Sequence, residues 1–382
     1  MIATGIDRFI AKGPDSAKKH IGLVTNPSGI TAKGVPSWKA LLDSGFSIGA
    51  FFGPEHGFRG DAQDAIHIED GEFLGIPSYS LYGNRLAPEE RMFVGLDAVA
   101  YDIQDVGCRY YTYLYTLANV AKVCEKTGMP LLVLDRPDPV GGAAVEGGPI
   151  ADSAKSFVGG YRLCNRYGMT VGEFARYLKG EFFPGLELEV EELRGWSRES
   201  YFDSLGLPWV TPSPNIPTLN TALVYSGTCF FEGTNVSEGR GTTRPFETVG
   251  APWIDGEKLR ENLADLGLPG LIFASAIFTP TTSKYSGESC NGVSMTVLDR
   301  KEFRPLRSGV AILKTIHDLY PGSFEWKRDW DRDGFHFIDR LAGGPLLRTL
   351  IDSGEKLDSI MEQLEAGKAD FIKRRENYLI YR

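Results

Sequence analysis

The chain has 382 residues, more than one hydrophobic core usually organises, so two domains are expected. Apolar residues make up 42% and charged residues 24%, the composition of a soluble globular enzyme. A formal net charge of −9 excludes a general nucleic-acid binder, which needs a basic face, but leaves room for an anionic small substrate held by clustered arginines. Five scattered cysteines (Cys108, Cys124, Cys164, Cys229, Cys290), with no CxxC pair, read as reduced thiols rather than a disulfide framework. No apolar run approaches the roughly 18 residues of a membrane span. Met1 to Lys12 lacks the charged and apolar regions of a signal peptide, so a cytoplasmic location is expected.

From residue 20 the pattern alternates strand and helix. His20 to Thr25 is an apolar run ending at the turn Asn26-Pro27-Ser28-Gly29, and Trp38 to Leu42 fits a helix after Pro36. Phe46 to Phe52 reads as a second buried strand, stopped by Gly53-Pro54 because proline has no N–H to pair. Pro88 to Val94 reads as a short helix, Asp97 to Ile103 as a strand, Tyr111 to Lys126 as a longer helix and Pro130 to Leu134 as a fourth strand. Such alternation predicts an α/β fold with a Rossmann-like parallel sheet, helices on both faces and all strand carboxyl ends on one edge. That edge receives Asn26, Glu55, His56, Asp102, Gln104, Asp105, Asp135 and Arg136. Neither a G-x-G-x-x-G turn nor a Walker A loop follows the first strand, so no nucleotide cofactor is expected.

Beyond residue 150 a second domain (151–382, against 1–150 for the first) is expected. Met169 to Lys179 reads as a helix with Thr170 as N-cap, Leu186 to Leu193 as an exposed strand, and Leu306 to Leu319 and Lys356 to Glu365 as packing helices. The loop from Pro208 to Thr218 holds four prolines and stiffly presents Asn215.

Two stretches carry the chemistry. In Phe52-Gly53-Pro54-Glu55-His56-Gly57-Phe58-Arg59-Gly60-Asp61 a carboxylate, an imidazole and a guanidinium are spaced by glycines at a strand's carboxyl end, where open α/β sheets bind ligands. Residues 56 to 72 form a long loop suited to a lid. The second stretch, Phe231 to Glu247, sets Glu232, Asn235, Glu238, Arg240, Arg244 and Glu247 among small residues, a loop composition suited to close approach of a ligand. Between them, Asp102 to Tyr113 offers Asp105, Arg109, Tyr110 and Tyr113. Aromatic faces beside hydrogen-bonding groups suit a sugar ring. Tyr113 is expected in the core. Thr279 to Gly287, with Lys284, borders the same cleft.

Together with Gly22 to Gly29, Leu134 to Pro139 and Pro212 to Thr218, these motifs resemble the exo-β-N-acetylmuramidases of the NamZ type, glycoside hydrolase family 171, long described as a domain of unknown function. The likeness runs through nearly the whole chain. It implies a Rossmann-like amino-terminal domain, a smaller α/β carboxyl-terminal domain and an active site in the cleft between them. It also implies release of N-acetylmuramic acid from the non-reducing end of peptidoglycan fragments, with Glu55 in the position of the family's proposed catalytic glutamate. Many relatives carry an export signal.

Glycoside cleavage needs a proton for the leaving oxygen and stabilisation of an oxocarbenium-like transition state. Glu55, flanked by Phe51, Phe52 and Phe58, is expected to supply the proton if burial raises its pKa from about 4.3 toward 6 or 7. His56 and Arg59 would oppose that shift unless they point elsewhere or bind substrate. Asp102, Asp105, Glu232, Glu238 and Glu247 qualify by type as the second carboxylate, with Glu232 and Asp105 placed first. The lactyl carboxylate of a muramic acid calls for an arginine, from Arg59, Arg109, Arg240 or Arg244. Asn26, His56, Asp102, Tyr110, Asn215, Asn235, Glu238 and Lys284 complete the expected substrate contacts. The expected partner is a muropeptide or amino-sugar disaccharide, with no nucleic acid and no cofactor; monomer and homodimer are both open. Two other classes compete. Glu55, His56, Asp61, Asp64, His67 and Asp70 suggest a metal-dependent amidase or esterase, although no H-x-x-x-H helix spacing is present. A sugar-binding module without catalysis is the other.

Overall fold

The computed structural model describes residues 2–14, 19–58, 69–329 and 334–382. Its larger sheet runs β3-β4-β2-β1-β5-β6-β7. The strands are β1 (His20–Thr25), β2 (Ser47–Gly53), β3 (Gly71–Phe73), β4 (Ile76–Ser80), β5 (Ala98–Asp102), β6 (Leu131–Leu134) and β7 (Leu188–Glu191). Every pair is parallel except the β3–β4 hairpin. All residues of β5 and β6 are buried, as strands covered on both faces must be.

Helices α1 (Gly5–Lys12) and α2 (Ser37–Asp43) cover one face, where Ile6, Phe9 and Leu41 pack on Leu23, Phe51 and Leu132. Helices α3 (Tyr113–Thr127) and α4 (Val171–Glu181) cover the other, where Leu117, Val120 and Phe174 meet Val24, Phe52, Val99 and Val133. The expected N-cap holds: the Thr170 hydroxyl accepts from the Glu173 amide at 3.1 Å, and the Glu173 carboxylate answers on the Thr170 amide at 3.0 Å. The strand expected over Leu186 to Leu193 is a short edge strand, β7, so the sheet draws on residues beyond 150. Within this sheet layer, α1 and the β3–β4 hairpin had no strong sequence signal.

The smaller sheet is antiparallel, ordered β8-β10-β9, with β8 (Thr248–Ala251), β9 (Leu271–Phe278) and β10 (Cys290–Val297). Around it lie α5 (Leu219–Thr228), α6 (Gly256–Asp265), α7 (Pro305–Leu319) and α8 (Phe337–Ala342). Helices α5 and α7 touch backbone to backbone. A Cβ on Gly227 would stand 2.0 Å from the Pro305 carbonyl oxygen, and one on Gly309 would stand 2.3 Å from that of Gly227. Gly309→Ala is therefore expected to lower unfolding stability by about 1–3 kcal/mol, through forced separation of the helices. Denaturant titration checks this, and an unchanged midpoint would mean that the helices part freely. The contact bears on function because α5 runs directly into the turn that carries Glu232.

Candidate active site

Strand β2 ends at Gly53, and the chain reverses over Pro54 to Gly57, with the Gly57 amide donating to the Pro54 carbonyl at 2.8 Å. The turn requires a left-handed residue at its third position. His56 occupies it at φ 69°, a conformation that costs a non-glycine residue roughly 1 kcal/mol or more. Gly53 is obligatory for a different reason: a Cβ there would lie 2.5 Å from the Phe58 amide nitrogen. The turn is thus folded tightly back on the strand, and Glu55 projects from it, half-buried.

Helix α3 delivers the groups that orient Glu55. The Thr112 hydroxyl, just before its first turn, donates to Glu55 Oε2 at 2.6 Å. The Tyr82 hydroxyl, from the loop after β4, donates to the same carboxylate; burial and the Glu55 charge both raise the Tyr82 phenol, so it remains a donor. Tyr113 and Tyr110 reach across to the second domain's side of the molecule, donating to the carbonyls of Pro212 and Ser226 (2.7 Å for the latter). Tyr113 is buried, as its core assignment required, yet its hydroxyl end borders the cavity.

The facing wall comes from the 3₁₀ turn Cys229–Gly233 and the loop behind it. Arg240 Nη2 lies 2.6 Å from Glu232 Oε1, and its Nε lies 3.4 Å from Glu238 Oε1. Behind them Lys284 Nζ sits 2.7 Å from Glu238 Oε2 and also donates to the carbonyls of Phe231 and Val236. Burial, then the carboxylates of Glu238 and Glu55, push the Glu232 carboxyl up; Lys284 and Lys327 work against them. Burial lowers Arg240 to about 10, which leaves it charged at neutral pH. Arg240 and Lys284 thus stand among the carboxyls of Glu55, Glu232 and Glu238.

Glu55 and Glu232 line one cavity of about 400 Å³, together with His56, Tyr110, Arg240 and Arg340. Its remaining wall is mostly ring and hydroxyl: Tyr82, Tyr111, Tyr113, Phe157, Tyr225, Phe337, Thr112 and Ser213. Arg340, on α8, is gripped by the buried Asp329, with Nη2 2.6 Å from Oδ1 and Nε on Oδ2.

The structure does not bring the other sequence-nominated residues to this cavity. Asp102 is fully buried and paired with Arg136 Nε at 2.6 Å. Asp105, placed first among possible catalytic partners, is buried away from the cavity. Its Oδ2 accepts from the Gly107 amide at 2.7 Å and from the Tyr167 hydroxyl, and burial pushes it up to about 6. Arg109, fully buried, donates to the carbonyls of Gly148, Leu163 and Leu341, so it ties segments together rather than meeting a ligand. Asn26 Oδ1 accepts from the Ser28 amide and hydroxyl, and Asn235 is bonded to Ser323 and Glu325. Arg244 pairs with Glu247 at 3.1 Å, Glu247 accepts from Asn220 and Thr221, and Glu238 and Lys284 stand behind Glu232. Asn215, on the proline-rich loop beside Ser213, does not line the cavity itself. The cause is common to several of these. At β1 and β5, where a doubly wound sheet usually opens a crevice, the chain fills its own gap: Thr25 Oγ1 donates to the Asp102 carbonyl at 2.9 Å, and the Gln104 amide donates to Ser28 Oγ at 3.0 Å. A void of only about 10 Å³ remains there, beside Ser28, Gln104 and Arg136.

Arg59, with most of the expected lid, lies outside the described residues, as do Asp61, Asp64 and His67 of the metal alternative. Of that set, Asp70 is taken by Arg85 at 2.5 Å and by the Ser80 amide. Among the described residues no group of three His, Cys, Asp or Glu side chains is arranged to hold a metal ion. Sequence reasoning passed over Tyr82, Thr112, Phe337 and Arg340. Thr112 stood at a predicted helix start, but Tyr82 follows a strand interrupted by Pro77, and α8 is only six residues long.

The geometry defines a two-domain α/β protein whose sheet domain presents one glutamate, and whose smaller domain presents another, to a single ring-lined cavity. Family models for the amino-terminal and carboxyl-terminal parts of exo-β-N-acetylmuramidase NamZ match residues 21–220 and 223–381. The peptidoglycan β-N-acetylmuramidase NamZ of Bacillus subtilis (strain 168) is 43% identical over 100% of this chain and 91% of its own length. Two crystal structures of DUF1343 family proteins from Bacteroides fragilis NCTC 9343 superpose with TM-scores of 0.88 and 0.78. They are 31% and 28% identical, and each match covers 100% of this chain and 99% of the other. The chain belongs to the NamZ family of exo-β-N-acetylmuramidases.

Proposed function

We propose that this chain is a glycoside hydrolase that removes N-acetylmuramic acid from the non-reducing end of peptidoglycan fragments. The observation that carries the mechanism is the pair Glu55 and Glu232 facing one cavity, with Arg240 beside Glu232. The resting proton of the cluster is assigned to Glu232, whose acid form burial and two neighbouring carboxylates favour. Glu55, fixed by the Thr112 and Tyr82 hydroxyls, stands as the oriented carboxylate. Glu232 then protonates the departing sugar oxygen as the glycosidic bond breaks, Glu55 stabilises the positive charge developing at the anomeric carbon, and water adds to that carbon with its proton returning to Glu232. Arg240 steadies the cluster as the proton leaves.

The muramic acid's lactyl carboxylate is the feature that separates it from N-acetylglucosamine. Arg340 supports that selection: it is a guanidinium in the cavity wall, aimed by a buried aspartate. A chromogenic β-N-acetylmuramide should be hydrolysed and the matching β-N-acetylglucosaminide left intact. Cleavage of both at similar kcat/KM would remove lactyl recognition. Binding of the muramide without hydrolysis would make the protein a sugar-binding module.

A further inference from the structure

A second cavity of about 400 Å³ lies directly beside the first, and Phe157 lines both. Three elements run from one into the other. The loop after β4 contributes Tyr82 to the first and Leu86 to the second. Helix α3 contributes Tyr113 to the first, then Tyr115 and Asn119 to the second. The segment 155–161 contributes Phe157 to both and Tyr161 to the second.

The rings form a continuous series. Tyr82 and Phe157 have centroids 6.2 Å apart, Phe157 and Tyr115 6.2 Å, Tyr115 and Tyr161 6.4 Å with near-parallel planes, and Tyr161 and Phe182 5.0 Å. The series thus begins at the hydroxyl that holds Glu55 and ends in the second groove. Phe157, Tyr161 and Phe182 are partly exposed, Tyr161 is held at φ 54°, and a Cβ at Gly160 would stand 3.4 Å from the Tyr115 ring. The Tyr115 ring is buried and its hydroxyl is engaged, donating to the Arg109 carbonyl at 2.6 Å and accepting from the Gly160 amide at 3.1 Å, so it backs the groove and the partly exposed rings of Phe157 and Tyr161 meet a ligand. Asn119, whose amide donates to the Leu86 carbonyl at 2.9 Å, and Lys155, paired with Asp152 at 2.7 Å, are polar residues at its rim beside hydroxyl or acetamido groups of a ligand.

We infer that this groove binds the sugar on the leaving side of the cleaved bond, the N-acetylhexosamine joined to the terminal muramic acid. The inference rests on the cavity around Glu55 and Glu232 being the place of cleavage. A pyranose has an apolar C–H face that packs on an aromatic ring and polar edges that need donors and acceptors. A ring series leading away from the cleaved bond supplies both in order. Because the groove adjoins the cavity without belonging to it, it acts on the aglycone and leaves selection of the terminal sugar unchanged.

The test uses two substrates with the same terminal sugar, an aryl β-N-acetylmuramide and the disaccharide β-N-acetylmuramyl-N-acetylglucosamine, with the full chain. Tyr161→Ala removes the platform, and Asn119→Trp fills the groove from the α3 surface without touching the core. In both variants the ratio of kcat/KM for the disaccharide to that for the aryl glycoside is expected to fall about tenfold. Thermal unfolding of each variant checks that the chain folds. An unchanged ratio in the folded Asn119→Trp variant overturns the inference while leaving the proposed function standing. If the unaltered protein cleaves neither substrate, the proposed function fails and the groove assignment falls with it.

Discussion

Glu55→Gln is expected to lower kcat on a β-N-acetylmuramide by about 10²–10³-fold, the usual cost of removing a group aimed at transition-state charge, while sugar binding remains measurable by calorimetry. The amide keeps the side chain's size and one oxygen acceptor for Thr112 and Tyr82, so the turn after β2 should hold its shape. What it removes is the negative charge facing the anomeric carbon. A leaving group that departs without protonation, such as a dinitrophenolate, should therefore not rescue this variant. Near-normal turnover would take Glu55 out of the mechanism. Rescue by the activated leaving group would instead make Glu55 the proton donor, the role its sequence position first suggested.

Glu232→Gln should behave in the opposite way. It is expected to lose about 10²–10⁴-fold on the disaccharide and to recover most of that loss on the activated aryl glycoside, which needs no general acid. Its pH dependence follows from the raised pKa. A proton donor works only while protonated, so the activity of the unaltered enzyme should decline as pH rises through the Glu232 value, and that alkaline limb should vanish in the variant. Stability moves with the same proton. The folded chain holds it more tightly than the unfolded chain, so the contribution is complete below the unfolded value and is lost as pH rises through the folded one. Glu232→Gln should consequently flatten the decline in thermal midpoint on the alkaline side. An unaltered alkaline limb in the variant would assign that ionisation to another group.

Much of the sheet domain was legible because its signals are local. The runs at 20–25, 46–52, 97–103 and 130–134 are apolar and bounded by turns, and each became a strand within a residue or two. Thr170 and Glu173 form a capping box within one helical turn. Strand β8 and helix α8 were not legible, since β8 is four residues long and α8 six, too short for a period to emerge.

The candidate site divides along the same line. Glu55 and Glu232 could be nominated from a chain that turns sharply or lacks periodicity around a carboxylate. Their convergence on one cavity depends on contacts between residues far apart in the chain, such as Tyr110 with Ser226 and Tyr113 with Pro212.

By itself the sequence determined the alternation of strands and helices, the position of the Gly-Pro-Glu-His-Gly turn at a strand's end, and the supply of charged groups in the 231–247 loop. Hydrophobic periodicity, proline's missing donor and glycine's freedom act over a few residues and need no partner. Only the tertiary structure decided which polar groups face a ligand and which serve the fold. Asp102 and Arg109 look as reactive as Glu55 in the sequence. Arg136, 34 residues from Asp102, and three carbonyls from distant loops satisfy them in the interior. A buried charge must find such partners, and those partners are chosen by long-range packing that no local pattern encodes.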